Sequence, residues 1–342
     1  MNPDLSVTRA RRVDKAGVYA SFDSWPEMAE KGAIASPALK SGTFSRAVFL
    51  GMGGSASAGD IVADWLSIRQ EPSFVVYKGF IPETDLSGAL AIACSASGNT
   101  KETIQMLELA VKRGATAVTI SSGGELEKIS KRLQAPHVQG PAVLAPRYIL
   151  PFLVFALVSC LNESFQMRSV DSEVRSALSD MRRLSGKIGI RVPLQRNQSK
   201  RLALAVLKCT PVVYGSTVTR GAAYRFKNSL NENAKKHALA DYAPELFHNE
   251  VETWEGGEAG FLPVFLRHSK EPESERRRFN VMQETLSKDG VDSLQVRGDG
   301  GSDLGELITM VYKLDVASYF TAIALGIDPL PTRMLSTIKK ET

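Results

Sequence analysis

Ala47-Val48-Phe49-Leu50-Gly51-Met52-Gly53-Gly54-Ser55-Ala56-Ser57-Ala58-Gly59-Asp60 is the stretch that decides the fold. Its four leading residues read as a buried strand and its glycines as a tight turn, and Ile61, Trp65 and Ile68 recur beyond them at helical spacing. A strand that passes through such a turn into a helix gathers unpaired backbone N–H groups at the positive end of the helix dipole, which favours an anion. The same glycines approximate a dinucleotide fingerprint. That fingerprint needs an acidic residue about 20 positions on, at the end of the second strand. Here the second strand, Ser73-Phe74-Val75-Val76-Tyr77, ends in Lys78-Gly79. The dinucleotide reading loses its main support, and no cofactor is expected.

The third strand, Leu90 to Cys94, enters a turn of the same type, Ser95-Ala96-Ser97-Gly98-Asn99-Thr100, before a helix marked by Ile104, Leu107 and Val111. One serine there would be an ordinary helix cap. Three hydroxyls beside a glycine make a phosphate cradle, so Gly54, Ser55, Ser95, Ser97 and Thr100 are the candidate phosphate-binding residues. A fourth strand spans Ala115 to Ile120, and Tyr148 to Leu161, short of the ~20 residues that cross a bilayer, reads as a core helix with Pro151 in its first turn.

A polar helical stretch, Asn162 to Leu194, reads as the crossover to a second half that repeats the architecture. Its strands are Val212 to Tyr214, Phe261 to Leu266 and Ser293 to Val296, and its long helix runs from about Leu304 to Leu325. Repeated α/β units predict parallel sheets with right-handed crossovers. The expected division is an N-terminal arm over 1–34, α/β domains over 35–161 and 162–330, and a C-terminal tail over 331–342.

Composition excludes several classes. The 342 residues are 43% hydrophobic and 23% charged, as in a globular protein. The net charge of +5 comes from 42 basic and 37 acidic residues. The densest basic run, Arg276 to Arg278, is balanced by Glu271, Glu273 and Glu275, so a nucleic-acid footprint is not expected, while the mild positive excess suits a small anion. Three cysteines form no C-x-x-C pair, and four histidines show no metal-ligand spacing. A reducing, cytoplasmic setting without a metal site is expected. Met1 to Lys15 lacks the apolar segment of a secretion signal, and no membrane association is expected.

The chemistry concentrates in Leu230-Asn231-Glu232-Asn233-Ala234-Lys235 and Pro244-Glu245-Leu246-Phe247-His248-Asn249-Glu250. A carboxylate partly withdrawn from water, held ionised by a cation such as Lys227 or Lys235, can take a proton from carbon. An imidazole can move protons between sugar oxygens. By residue type alone, Glu232 is equally a helix-end carboxylate paired with a lysine, and His248 a hydrogen-bonded loop residue.

These two motifs resemble NENAK and PELNHNE of the bifunctional phosphoglucose/phosphomannose isomerases, with Phe247 in place of the asparagine. The serine-rich turn resembles the same family's S-Y-S-G-N-T, with Ala96 in place of the tyrosine. Pro146-Arg147 resembles its P-R pair. Leu330 to Lys340 resembles its closing segment, in which a lysine completes the site; Lys339 fits the register and Lys340 is adjacent.

The resemblance implies an α/β fold of two SIS-type (sugar isomerase) α/β/α sandwich domains with parallel, flavodoxin-like sheets. It implies aldose–ketose isomerisation of glucose 6-phosphate and mannose 6-phosphate with fructose 6-phosphate through a cis-enediolate. Glu232 would shuttle the proton, Arg147 stabilise the charge, and His248 with Lys339 assist ring opening. It further implies a homodimer in which His248 is supplied across the interface. Two other readings stay open. One is an isomerase of a different sugar phosphate, for which Ala96 leaves room. The other is a sugar-phosphate-binding SIS module without catalysis, which the presence of both Glu232 and His248 disfavours.

Overall fold

The computed structural model describes residues 4–39, 44–256 and 260–341. Ahead of the first strand come three helices, α1 (Val7–Val13), α2 (Tyr19–Asp23) and α3 (Trp25–Ala33). They are amphipathic, and Val13, Phe22 and Trp25 are buried in the main core. Trp25 stacks on Tyr312 with ring centroids 4.8 Å apart, and the Tyr312 hydroxyl donates to the Phe22 carbonyl at 2.7 Å. The polar opening of the chain thus packs against helices of both halves.

The first half then alternates: β1 (Arg46–Gly51), α4 (Gly53–Arg69), β2 (Phe74–Tyr77), β3 (Ala89–Ser95), α5 (Lys101–Lys112), β4 (Thr116–Ser121), α6 (Gly124–Leu133) and β5 (His137–Gln139). All pairings are parallel, in the order β2-β1-β3-β4-β5. β3 is buried at every position, as a central parallel strand covered on both faces must be. The order reverses between β1 and β3, and at such a switch point the loops leaving the strands' carboxyl ends part to form a crevice. Those loops are the two turns singled out in the sequence.

A 3-10 turn, Pro146–Ile149, leads into α7 (Leu150–Phe165), followed by α8 (Val170–Ile188) and α9 (Gln198–Lys208). The second half runs β6 (Thr210–Gly215), α10 (Arg220–Ala234), β7 (Leu239–Tyr242), β8 (Phe261–Arg267), α11 (Glu273–Lys288), β9 (Leu294–Arg297), α12 (Asp303–Leu325) and α13 (Arg333–Glu341). Its sheet is again parallel, ordered β7-β6-β8-β9. β5 and β7 are absent from the sequence reading: each is short, and neither is a continuous apolar run.

Pro146–Phe165, the 3-10 turn together with α7, and α12 are each long and apolar enough to cross a membrane, the first longer than the apolar run read from the sequence, but 78% and 94% of their apolar windows are buried within the fold. One hydrophobic core containing both helices is continuous across the two halves. α4 and α10 join those halves by packing antiparallel. Gly221, at the start of α10, donates its N–H to Asp64 on α4 at 2.7 Å. A Cβ on Gly221 would lie 2.7 Å from the Asp60 backbone, so glycine sets this close crossing. The consequence is positional: the N-terminus of α4 and the C-terminus of α10 come to the same place.

Candidate active site

That place is a cavity of about 1160 Å³, lined by Gly53 and Gly54 of the first glycine turn, by Lys227, Asn231, Glu232 and Lys235 of α10 and its cap, and by Thr332 to Leu335. Glu232 stands on the last turn of α10 with its side chain 25% exposed. The cation beside it is Arg147, whose Nη1 lies 3.5 Å from Glu232 Oε2. The lysines expected in that role are engaged elsewhere: Lys227 donates to Asn228 Oδ1 at 3.5 Å, and Lys235 donates to backbone carbonyls. Arg147 outcompetes them because it is buried and held from every side.

Arg147 Nε donates to Asn233 Oδ1 at 2.8 Å, and Nη2 donates to the carbonyls of Pro329 and Leu330, each at 2.8 Å. Nη1 alone is turned to Glu232. Its backbone is pinned as well: the Arg147 carbonyl accepts from Arg225 Nη2 at 2.8 Å, and Arg225 forms a buried pair with Asp315, Nη2 to Oδ2 at 2.5 Å. Ser229 donates to the same carboxylate at 2.6 Å. A buried ion pair holds its geometry when further hydrogen bonds satisfy its remaining atoms, as here. Gly54 closes the arrangement, since a Cβ there would lie 3.2 Å from Arg147 Cα.

Lys235 ends α10 in the left-handed conformation, φ +52°. Although the residue is exposed, its ammonium is drawn inward, donating to the carbonyls of Glu232 at 2.7 Å, Asp328 at 3.2 Å and Pro329 at 3.4 Å. Burial of the ammonium, and then the nearby Arg147 charge, push its pKa down to about 8 against the pull of Asp328 and Glu232. Sequence reasoning named Lys235 only as a counter-charge; its tie to residues 328–329 is a contact across the chain that no local pattern signals.

The serine-rich turn adjoins this cavity through Ser55, whose buried Oγ accepts from the Ala96 N–H at 3.2 Å. Ser95 Oγ accepts from the Gly98 N–H at 3.1 Å and lies 2.9 Å from Thr100 Oγ1. Ser55 and Ser95 therefore act as struts of the two turns, while Ser97 is exposed and Thr100 half-buried. Gly98 has φ +70°, and a Cβ on it would sit 1.7 Å from the Gly123 carbonyl oxygen. Only glycine lets the two loops meet there.

The equivalent strand ends of the second sheet are closed by the chain's own carboxylates. Thr217 donates its N–H to Glu275 at 2.8 Å and its hydroxyl to the same carboxylate, and the Ser269 N–H donates to both oxygens of Glu306 at 3.1 Å. The open cradle is the one in the first half.

The structure does not bring every candidate together. His248 is exposed and lines a separate cavity of about 640 Å³ with Phe247, Trp254 and Arg278. Phe247 packs edge-on against Phe279, ring centroids 5.1 Å apart. Lys339 is exposed on α13, and it is the first turn of that helix, not Lys339, that lines the Glu232 cavity. The Lys340 side chain lies outside the described residues.

Two parallel sheets, with glycine- and hydroxyl-rich turns at the first switch point and a carboxylate–guanidinium pair beside them, are the architecture of a SIS-type fold. The comparisons agree. Residues 195–342 match the family described as bacterial phospho-glucose isomerase C-terminal SIS domain. A bifunctional phosphoglucose/phosphomannose isomerase of Thermoplasma acidophilum is 30% identical over 88% of this chain and 91% of its own. One of Aquifex aeolicus is 29% identical over 86% and 89%. The chain belongs to the bifunctional phosphoglucose/phosphomannose isomerase family. A more distant relative, a D-glucosamine-6-phosphate 4-epimerase of Sulfolobus acidocaldarius, is 26% identical over 76% of this chain and 80% of its own. The crystal structure of a glucose-6-phosphate isomerase like protein from Thermus thermophilus shares the fold, with TM-score 0.66 at 19% identity over 99% of both chains.

Proposed function

We propose that this chain interconverts glucose 6-phosphate and mannose 6-phosphate with fructose 6-phosphate. The observation that carries the reading is the Glu232 carboxylate facing the one free arm of the buried Arg147 guanidinium, in a cavity that also opens on Gly54. The phosphate is held by the backbone N–H groups around Gly54, supported by Ser55 and Ser95, and by the hydroxyls of Ser97 and Thr100. In the open-chain aldose, Glu232 takes the proton from C2, and the electron pair forms the C1–C2 double bond of an enediolate. The hydroxyl proton passes from O2 to O1, and Glu232 returns its proton to C1 to give the ketose. Arg147 is preorganised to stabilise the oxygen that carries the negative charge. Glucose and mannose 6-phosphates share one enediolate, and a single base serves both when the intermediate rotates about C2–C3 to present either face of C2 to Glu232.

In this reading residues 35–161 hold the phosphate, residues 162–330 supply the base, residues 331–342 cover the cavity with Lys339 on its helix, and residues 1–34 brace the two halves. His248 assists ring opening from a second copy of the chain in a homodimer. Two facts support that placement: within one chain His248 and Glu232 line different cavities, and Met334 and Leu335, 76% and 46% exposed at the rim, offer apolar surface to a partner. A coupled assay of purified protein with each hexose 6-phosphate tests the function. Turnover of both supports it, and turnover of neither overturns it. A second reading, action on another sugar phosphate, is favoured by Ala96, which removes a ring and hydroxyl from the cradle motif. It predicts activity on that substrate in excess of both hexose 6-phosphates.

A further inference from the structure

The sequence scatters its basic residues, and its densest run is neutralised locally, Arg276 and Arg277 both pairing with Glu273. Folding gathers a different set. Lys187 at the end of α8, Arg191 and Arg196 in the connection that follows, Arg201 on α9, Arg297 at the end of β9 and Lys313 on α12 surround two adjoining cavities of about 580 and 540 Å³. The cavities share Gln198 and Asp299.

The local acids are already engaged. Asp299 Oδ1 lies 3.0 Å from Lys313 Nζ, Asp180 pairs with Arg183 at 2.6 Å, and Glu306 accepts from the Ser269 N–H. Lys187, Arg191, Arg196 and Arg297 form no ion pair among the described residues. Lys313 is buried, and its pKa is lowered by that burial against the opposing pull of Asp299, the Lys187 charge adding a smaller push in the same direction as burial. Gln198 is the first residue of α9, an 11-residue helix capped by Asn197, so its dipole adds positive potential at the point the cavities share.

The topology explains why the space is open. The first sheet has a fifth strand beside β4; among the described residues the second has none beside β9, whose residues 294–297 line one of the cavities. With Asp299 the one carboxylate lining both cavities and already paired to Lys313, the remaining cations are in excess, and their mutual repulsion is a cost that a bound anion removes.

We propose that this groove is a second anion site, distinct from the Glu232 cavity, that takes a small molecule bearing two or more phosphate charges. Paired guanidiniums suit phosphate oxygens because their planar forks donate in parallel. The inference does not rest on the isomerase reading, since no residue of the groove lines the Glu232 cavity.

Inorganic tripolyphosphate, titrated calorimetrically into the full chain at 0.15 M salt, is the probe. Wild type and a Ser97→Ala/Thr100→Ala variant should bind it equally at this site. Arg191→Gln/Arg196→Gln, which alters two exposed side chains, should bind at least about tenfold more weakly, as expected for loss of two charge-assisted contacts. Lys187→Gln, an independent change, should weaken binding by less. A melting curve accompanies each variant to show that it is folded. The proposal fails if tripolyphosphate does not bind at millimolar concentration, if binding disappears with the cradle hydroxyls, or if the arginine variant binds as wild type does. It also fails if a short DNA duplex binds more tightly than tripolyphosphate, which would make the surface one for nucleic acid.

Discussion

Arg147 and Lys235 donate to the same acceptor: the Pro329 carbonyl receives Arg147 Nη2 at 2.8 Å and Lys235 Nζ at 3.4 Å. Two cations beside Glu232, Arg147 at its carboxylate and Lys235 at its backbone carbonyl, thereby tie down the segment that carries α13 over the cavity. The position of the C-terminal helix and the orientation of the guanidinium that faces the base are thereby coupled through one shared acceptor.

Lys235 gives this contact a pH dependence. Its ammonium, facing Arg147, Asp328 and Glu232, loses its proton as pH rises through about 8, and the neutral amine has fewer hydrogens for the carbonyls it serves. Activity should fall above about pH 8, and Lys235→Arg, charged throughout, should keep the plateau to higher pH. Stability should move the other way. The folded-state value lies below the ordinary lysine value, so this group disfavours folding below about pH 8, and the penalty fades as pH rises toward 10.5. Rate profiles and melting curves of both forms check the two limbs.

Asp315 is the counter-charge of Arg225 and, through it, the anchor of Arg147. Asp315→Ala leaves a buried guanidinium uncompensated and should cost about 3–5 kcal/mol by chemical denaturation. Asp315→Asn should cost less while still lowering kcat, because the Arg147 backbone loses its support. An Asn variant with wild-type kcat would mean that Arg147 is held without this chain of contacts.

The Ser97 and Thr100 hydroxyls of the serine-rich turn separate binding from chemistry. Ser97→Ala and Thr100→Ala should raise KM for sugar phosphates with little change in kcat, and inorganic phosphate should compete with substrate. Steady-state kinetics decides this, and equal activity on unphosphorylated glucose would contradict a phosphate role for the turn.

Subunit mixing tests the origin of His248. Glu232→Gln and His248→Ala are each expected to be inactive, but a hybrid of the two has one site with both lesions and one with none if the histidine crosses the interface. With half the dimers hybrid and half their sites intact, roughly a quarter of wild-type activity should return. Verified exchange without recovery would place both residues in the same chain's site.

What was legible in the sequence was local. The strand, glycine turn and helix around Gly54, and the hydroxyl turn around Ser97, announce themselves because hydrophobic period and turn chemistry are properties of adjacent residues. The strands β5 and β7 were missed because short edge strands need no continuous apolar run. Glu232 stands out through its motif, and proximity in sequence points to nearby lysines as its cation, whereas the fold brings Arg147 from the other half. Asp315 and the cations around Gln198 carry no local signature, since their meaning arises only where α8, α9, β9, α10 and α12 meet.

The central claim is that Glu232 moves the proton, and substitution by its uncharged isostere tests it most directly. Glu232→Gln keeps the shape and removes the base. With fructose 6-phosphate in D₂O, followed by NMR, wild type should form aldose 6-phosphate whose C2 hydrogen is either the one taken from C1 or, where the Glu232 carboxyl exchanges before returning it, solvent deuterium. The variant should bind substrate with affinity near wild type and turn over about 100-fold more slowly or worse. Retention of more than about a tenth of wild-type turnover, set against that general-base magnitude, would contradict the account.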